Sequence, residues 1–289
     1  MNIEIAKKNA ALVGDYMAFL EYRNLSPKTF TNYEVAVRQL YEYCSSKGLA
    51  LADLSSSDFL VFTNKRFKDY KPASRAAKLS AINLFYEFLV VSQKAKQSPV
   101  LKIFYPKVEP TKFEPFPEDL FPSLFQYIKD HSNPFYALGV ELMFYSGLRV
   151  SEVQSLDVMH DIKGNGSDMY ISVKGKGRKK RDVPVFAKSS QKLISLIRAD
   201  LSSIVPYTLD VSQQVYQYHI NQWQKSNNID NHYTCHSLRR AFAVRAIQAY
   251  KDVEIVRYLM GHDSYNTTLI YLYNNQRLVY DIDRSLLAR

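Results

Sequence analysis

The sequence has little cysteine and no long apolar stretch. Two cysteines, Cys44 and Cys235, are too few for a disulfide framework or a cysteine-based zinc site. Uninterrupted apolar runs are at most five residues long, so we expect neither a transmembrane helix nor the core of a signal peptide. A P-loop, an HExxH motif and a nuclease-type acidic cluster are also missing. These absences favour a cytoplasmic protein that works without a metal or nucleotide cofactor.

Acidic residues are in deficit as well. The 28 Asp and Glu residues are outnumbered by 38 Lys and Arg residues, which gives a formal net charge of +10 and an isoelectric point near 9.3. Basic residues exceed acidic ones in residues 1–110 and again in residues 111–289. This balance favours a polyanionic partner, nucleic acid first and an acidic membrane second. A clamp that grips DNA from two sides would fit the distribution.

Residues 1–92 show helical periodicity throughout. Helix starts are predicted at Ser26-Pro27, at Ser57 or Asp58 for a helix through Tyr70, and after Pro72. Gly48 is typical of a helix end. Basic side chains crowd the third helix and the start of the fourth: Lys65, Arg66, Lys68, Lys71, Arg75 and Lys78. A solvated face and a phosphate-contacting patch are both consistent with this cluster.

A proline-rich stretch separates this region from the rest of the chain. Five of the eleven prolines fall between residues 93 and 118, where apolar periodicity disappears. The stretch is therefore predicted to be a stiffened linker or extended arm. Helices return from about residue 118, with starts predicted at Pro117-Glu118-Asp119 and at Asn133-Pro134.

Arg149 follows the glycine that should end the second of these helices, Gly147, and another helix comes next. This placement predicts a tight, well-anchored corner. Taken alone, Arg149 would be interpreted as an ordinary partner for Glu152.

One β signal stands out in the chain. Met169–Val173 and Arg181–Val185 alternate between apolar and polar residues, with Gly175 and Gly177 between them, as in a hairpin. Six of the eight residues from 174 to 181 are basic. A solvated charge run is one interpretation, but Lys176 stands between the two glycines, where a hairpin tip could enter a groove.

The stretch from Thr234 to Tyr273 concentrates chemically active side chains. His236 and Arg239 are three residues apart and would share one face of a helix. A second short helix is predicted to run from an N-cap at Asp252 to Met260, with Gly261 just past its end. His262 follows at the turn, and Tyr271 lies nine residues later. Such a group suits phosphodiester chemistry, with cations for the phosphate, imidazoles for protons and a phenol to attack.

His-Ser-Leu-Arg-Arg at 236–240, Gly-His at 261–262 and the tyrosine nine residues later resemble the C-terminal signature of the tyrosine recombinase (phage integrase, Xer-like) family. Gly-Leu-Arg-Val-Ser-Glu at 147–152 resembles a second motif of that family, in which the glutamate is a buried structural residue. Gly-Lys-Gly followed by Arg-Asp-Val-Pro fits the family's hairpin. Met260 stands where leucine is commoner and Arg240 where histidine is usual. The resemblance implies six catalytic residues: Arg149, Lys176, His236, Arg239, His262 and Tyr271.

The resemblance also assigns roles at a phosphate. Arg149 and Arg239 would neutralise the non-bridging oxygens as the pentacoordinate phosphorane forms, because guanidinium groups stay charged at any working pH. His262 would add a hydrogen-bond donor. Lys176 would protonate the leaving 5′-oxygen, with Lys174 as the less favoured candidate.

Tyr271 would attack the phosphate and become joined to the 3′ side of the DNA, with His236 assisting the proton transfer. A free phenol has a pKa of about 10 and needs this help. Tyr265 and Tyr273 compete as nucleophiles, and the spacing from the second histidine favours Tyr271. Bond energy held in the phosphotyrosine would make ATP and a divalent metal unnecessary, so no cofactor is expected.

In fold, the resemblance implies a mainly α-helical chain with a small antiparallel β-sheet. Residues 1–105 would form a helical, SAM-like core-binding domain, residues 106–117 a linker, and residues 118–289 an α+β catalytic domain. A short amphipathic tail helix is predicted within residues 274–289. The match of the N-terminal half to the family is architectural and carries no sharp motif.

The expected partner is double-stranded DNA with paired half-sites, held by a tetramer of this chain. The tail could be exchanged between subunits, and accessory proteins or a partner recombinase could take part. No membrane is expected, and the location would be the cytoplasm, at the nucleoid.

Two other functions share these features. A type IB topoisomerase-like enzyme would use the same chemistry without choosing a site, but a small chain with an N-terminal helical unit favours recombination. A non-catalytic DNA-binding relative is the second alternative. All six catalytic positions are intact, which argues against it.

Overall fold

A computed structural model describes residues 3–108, 114–175, 180–201, 211–265 and 267–269. The chain divides into two compact units, Met1–Thr111 and Lys112–Arg289. Each unit has a hydrophobic core of its own. No helix in these described ranges combines the length and the apolar character that crossing a membrane would require.

The N-terminal unit contains helices α1 (Ile3–Tyr22), α2 (Pro27–Lys47), α3 (Ser56–Phe67) and α4 (Pro72–Val91). Helix α2 begins as predicted, because the Ser26 hydroxyl accepts the Thr29 N–H at 3.2 Å and Pro27 occupies the first turn. Gly48 ends the helix with a φ of +67°, which a residue without Cβ adopts at no steric cost.

Helix α3 differs from its prediction at both ends. The start expected at Ser57 or Asp58 is wrong, because Ser55 caps the helix by accepting the Asp58 N–H at 3.1 Å. The helix stops at Phe67, three positions before the expected Tyr70. Three consecutive serines can all cap a helix, so local preference alone does not choose between them.

The basic cluster of the N-terminal unit lies largely on its surface. Lys65, Arg66, Lys68 and Lys71 are exposed, while Arg75 and Lys78 are half-buried. Arg66 pairs with Glu42 at 3.4 Å, and Arg75 donates to the Lys68 carbonyl at 3.0 Å. The patch therefore offers several ammonium groups to an anionic partner.

The C-terminal unit contains α5 (Phe121–His131), α6 (Pro134–Tyr145), α7 (Val150–Gln154), α8 (Lys188–Leu201), α9 (Gln213–Ser226), α10 (Cys235–Tyr250) and α11 (Val253–Met260). Asn133 caps α6 as predicted, since its side-chain oxygen accepts the N–H groups of Phe135 and Tyr136 at 2.9 and 3.3 Å. The helix expected to open at Pro117-Glu118-Asp119 begins later. Residues 118–120 form a turn instead, and the Glu118 carbonyl accepts the Phe121 N–H at 3.2 Å.

The β-sheet has three antiparallel strands, β1 (Ile162–Lys163), β2 (Tyr170–Lys174) and β3 (Lys180–Pro184), in the order β1-β2-β3. The predicted hairpin is present, with the bounds of both strands one residue nearer the turn than expected and Ile171 opposite Val183. Sequence reasoning missed β1 because two residues are too few to show alternation. The hairpin tip, and with it Lys176, lies outside the described residues.

Helix α6 lies at the centre of this unit and packs against α5, α8 and α10. It is buried from Ala137 to Phe144, so its C-terminal end is firmly fixed. The predicted fold class, mainly α-helical with a small antiparallel sheet, is confirmed.

Candidate active site

Arg149 lies on the corner between α6 and α7. Gly147 has a φ of +67°, and the ring of Phe242 lies so close that a side chain at this position would collide with it. Arg149 is the N-cap of α7, and the Glu152 carboxylate accepts its backbone N–H at 2.8 Å. Its Nη1 donates to the same carboxylate at 2.8 Å, and Nη2 donates to the Gly261 carbonyl at 2.7 Å. Both the backbone and the side chain of Arg149 are therefore held.

Arg239 projects from the second turn of α10. Thr234 caps the start of the helix, and its N–H is accepted by the Ser237 hydroxyl at 3.2 Å. Arg239 is only 4% exposed, and its terminal nitrogens donate to the carbonyl oxygens of Gly147 and Met260. The side chain thus joins the corner after α6 to the end of α11.

Helix α11 has the predicted boundaries. The Asp252 carboxylate caps it by accepting the N–H groups of Glu254 and Ile255 at 2.7 and 3.3 Å, and Gly261 ends it with a φ of +59°. His262 follows directly and is 9% exposed. This order places the imidazole beside the carbonyl groups to which Arg149 and Arg239 donate.

Two side chains fix His262. Its Nδ1 lies 2.9 Å from the hydroxyl of the fully buried Thr268, and Arg257 donates to the His262 carbonyl at 3.1 Å. A ring held in this way presents its other nitrogen, Nε2, in a fixed direction.

Glu152 is the carboxylate on which the site is built. It is buried, as the resemblance implies, and Arg149 contacts Oε1 at 2.8 Å. Arg181 donates to both of its oxygens at 2.9 Å, and Arg239 Nη1 lies 3.6 Å from Oε2. Burial alone would raise the pKa of Glu152, but the hydrogen bonds and charge of Arg181, with help from Arg149 and Arg239, hold this pKa below its ordinary value.

Sequence reasoning gave no role to Arg181. It lies on β3, is 7% exposed, and sits among the basic residues that a solvated charge run would equally explain. A signal was available in the alternation of the strand, which places position 181 on the same inward face as Val183. An inward-facing arginine requires a buried anion or a set of carbonyl oxygens.

Both histidines of the site have lowered pKa values. Burial, followed by the charges of Arg239, Arg149 and Arg181, lowers the pKa of His262 to about 3. Partial burial, followed by Arg239 and other arginines, lowers the pKa of His236, although this residue remains exposed to solvent. Both imidazoles are therefore neutral at pH 7 before an anion binds.

A cleft of about 230 Å³ opens beside these groups. Its lining includes Lys180, Arg181, Arg257, Tyr258, His262 and Asp263. Four of these six side chains are basic or imidazole groups, which suits an anionic ligand. In the described part of the chain, no cluster of three or more His, Cys, Asp or Glu side chains is arranged to hold a metal ion.

Of the remaining predicted site residues, the structure describes Lys174 and Tyr265. Lys174, at the end of β2, is exposed and lies opposite Lys180 in the ladder. Tyr265 is 48% exposed. Tyr271 and Tyr273, like Lys176, fall outside the described residues. The structure thus brings together Arg149, Arg239 and His262, with His236 on the same helix as Arg239.

Comparisons with known proteins identify the family of the chain. The profile of the phage integrase family matches residues 116–277, and that of the phage integrase N-terminal SAM-like domain matches residues 13–93. A tyrosine recombinase of Pseudothermotoga lettingae is 26% identical over 282 residues, which cover 94% of this chain and 96% of the relative. Tyrosine recombinase XerC of Haemophilus influenzae (strain Rd) is 30% identical over 283 residues, covering 90% of this chain and 92% of the relative.

The fold is also similar to that of solved recombinases. A lambda integrase tetramer bound to a Holliday junction matches with a TM-score of 0.71 at 18% identity, covering 91% of this chain and 76% of that one. The family profile spans more than half of the chain, and the curated relatives align along most of its length. On these grounds the chain belongs to the phage integrase family of tyrosine site-specific recombinases.

Proposed function

We propose that this recombinase cuts and rejoins DNA strands through a 3′-phosphotyrosine intermediate formed at Tyr271. The observation that supports the proposal best is the convergence of Arg149 and Arg239 on the Glu152 carboxylate, with His262 directly after the Met260 and Gly261 carbonyl groups to which they donate. Three guanidinium groups, those of Arg149, Arg181 and Arg239, share the charge of Glu152, which leaves an excess of two positive charges. A phosphodiester would supply a matching anion.

The two arginines proposed to hold the phosphate are already oriented. Each guanidinium group donates hydrogen bonds to fixed backbone carbonyl groups. Little rearrangement is therefore required when charge develops on the phosphate oxygens. They take the role that divalent cations play in many other phosphoryl-transfer sites. Neutral His262 adds a hydrogen-bond donor, and its pKa should rise once an anion lies beside it.

Proton transfer completes the proposed mechanism. The Tyr271 phenol attacks the phosphorus atom as its proton leaves with help from neutral His236, whose lowered pKa keeps it free to accept. Lys176 donates a proton to the departing 5′-oxygen. Rejoining is the reverse reaction, with the 5′-hydroxyl of another strand as the nucleophile. Because the phosphotyrosine bond conserves the energy of the broken ester, ATP is not consumed.

We further propose that residues 1–105 form a DNA-binding domain, joined by residues 106–117 to a catalytic domain at 118–289. The excess of basic residues in both parts supports a grip on the duplex from two sides. Exchanging strands between two duplexes involves four cleavage sites. We therefore propose a tetramer of this chain on paired half-sites, with the tail at 274–289 exchanged between subunits.

Recovery of covalently bound DNA tests the proposal and supplies the recombination site. The tagged full-length chain is expressed in cells and purified under denaturing conditions, which remove DNA that is not covalently bound. The ends of the DNA that remains attached are then sequenced. We expect a defined site in the wild type, loss of the adduct in Tyr271→Phe and retention in the matched control Tyr273→Phe. Site binding should hardly change in Tyr271→Phe, since positioning rests on basic contacts. An adduct that survives Tyr271→Phe would refute the assignment of the nucleophile.

A further inference from the structure

Arg181 occupies a central position that the proposed reaction leaves without a role. All three guanidinium nitrogens donate hydrogen bonds at 2.9 Å: Nη1 and Nη2 to the two oxygens of Glu152, and Nε to the carbonyl of Leu259. The side chain is 6% exposed, so these bonds are shielded from water. Paired N–H donors on both carboxylate oxygens form the strongest arginine–carboxylate geometry.

Glu152 is a competitor for the arginines proposed to bind DNA. Its carboxylate already accepts a bond from Arg149, and Arg239 is 3.6 Å away. A buried carboxylate with free lone pairs would draw these guanidinium groups toward itself and reduce the charge that they offer to a phosphate. Arg181 occupies both oxygens and balances the negative charge.

We propose that Arg181 is a positioning residue of the strand-transfer reaction. It neutralises Glu152, so that the carboxylate does not offset the positive charge that Arg149 and Arg239 offer to the scissile phosphate. The inference depends on the proposed function only for the identity of that phosphate.

Gly261 provides a second, independent indication that the position of Arg181 matters. A Cβ at residue 261 would lie 2.6 Å from Arg181 Nη1, which is shorter than any normal contact. The carbonyl group of the same glycine accepts the bond from Arg149. One residue without a side chain therefore makes room for one arginine and orients the other.

Arg181 also connects two parts of the site along the chain. It lies near the start of β3, and its Nε bond reaches the last turn of α11, three residues before His262. The strand that leads away from Lys176 is thereby tied to the helix that presents the histidine. Misplacing groups of this kind by about 1 Å can slow a reaction about 100-fold.

The test uses two measurements on the full-length chain. The first is binding of inorganic phosphate at low ionic strength by calorimetry, which needs no DNA sequence. The second is the rate of covalent adduct formation on a nicked duplex that carries the site recovered by trapping. The variants are Arg181→Met, the double variant Arg181→Met/Glu152→Gln, and the matched control Arg198→Met. Arg198 is a half-buried arginine that donates to carbonyl groups near β1 and has no contact with Glu152 among its described hydrogen bonds.

For Arg181→Met we expect phosphate affinity and adduct rate to fall by about 10- to 100-fold, the loss seen at metal sites when the hydrogen-bond partner of a ligand is removed. The double variant should recover most of the phosphate affinity, because the glutamine no longer attracts Arg149 and Arg239 by charge. Arg198→Met should keep both values near wild type. Losing both partners would not restore binding if Arg181 were merely a structural support. A double variant as weak as Arg181→Met would therefore overturn the proposal.

Arg181→Gln guards against a folding failure of the methionine variant. Its amide can keep one hydrogen bond to Glu152 but lacks the charge, so phosphate affinity should still fall and should again recover with Glu152→Gln. Normal phosphate affinity in a folded Arg181→Gln variant would refute the inference. The proposed function fails separately, if wild-type protein that binds phosphate forms no adduct with any DNA.

Discussion

Replacing Glu152 by alanine removes the carboxylate that Arg149, Arg181 and Arg239 share. Two of these arginines, Arg181 and Arg239, are buried, with 7% and 4% of their surface exposed. After the substitution they would keep their bonds to backbone carbonyl groups but would lose the carboxylate that they share. Folding would then require burying like charges close together.

The burial of the arginines determines how much free energy of unfolding the substitution removes. Leaving one member of a buried ion pair without its partner costs about 3–5 kcal/mol. Arg149 adds less, because 30% of its side chain is exposed and its charge is screened by water. We therefore expect Glu152→Ala to lower the free energy of unfolding by about 3–5 kcal/mol. For a unit of this size, the unfolding midpoint should fall by about 6–20 °C.

Thermal unfolding followed by circular dichroism measures this shift. The matched control is Glu254→Ala, which removes a carboxylate that pairs with Arg257 on the surface. Its midpoint should hardly move, because exposed ion pairs contribute little. A Glu152→Ala midpoint within the range of the Glu254→Ala control would refute the reasoning, since it would show that the buried arginines do not depend on the carboxylate.

The pH dependence of the same experiment checks the cause. The pKa of Glu152 in the folded chain is below its ordinary value of 4.5, so the unfolded chain takes up the proton first as the pH falls. The stabilisation is therefore complete above pH 4.5 and is lost progressively below it. Glu152→Gln has no such proton to bind, so its stability deficit relative to wild type should shrink as the pH is lowered through this range.

Two further predictions concern Lys176 and His262. Lys176→Ala should cleave a 5′-bridging phosphorothiolate near the wild-type rate but fail on ordinary DNA, because a thiolate leaves without a proton. An equal loss of rate on both substrates would reassign the lysine to phosphate binding. His262→Gln should flatten the loss of stability that wild type shows as the pH falls below 6.5. The pKa of His262 is about 3 in the folded chain, so between pH 6.5 and that value the unfolded chain binds a proton and the folded chain does not. Unfolding midpoints between pH 7 and 5 measure this slope, and equal slopes in the two proteins would contradict the burial of a neutral ring.

Local signals in the sequence predicted much of the C-terminal site. The start of α11 at Asp252 and its end at Gly261 follow from side-chain capping and from a positive φ, and both depend on residues close in sequence. The corner before Arg149 is similar, because a glycine past a helix end is typical of a reversal in chain direction. Where local chemistry offers equal choices, as at Ser55, Ser56 and Ser57, the prediction missed the boundary.

The role of Arg181 could not be predicted in the same way. Its partners lie 29 and 78 residues away in the sequence, and no local pattern specifies such pairings. Six of the eight residues from 174 to 181 are basic, and in the sequence nothing marks the buried arginine among them. The alternation of the strand separates position 181 from its basic neighbours only once the inward face of the strand is known, and Val183 marks that face.

The arginines of this site are held by backbone carbonyl groups as well as by Glu152. Arg149 donates to the carbonyl of Gly261, Arg239 to that of Gly147, and Arg181 to that of Leu259. Each acceptor belongs to a segment other than the one that carries the arginine, so the corner after α6 and the end of α11 fix one another. Carbonyl groups at well-capped helix ends have little freedom, and the guanidinium groups inherit that rigidity. This explains why the two glycine-containing motifs, although far apart in sequence, act as one structural unit: a shift of the corner at Gly147 would misdirect Arg239, and a shift of the corner at Gly261 would misdirect Arg149.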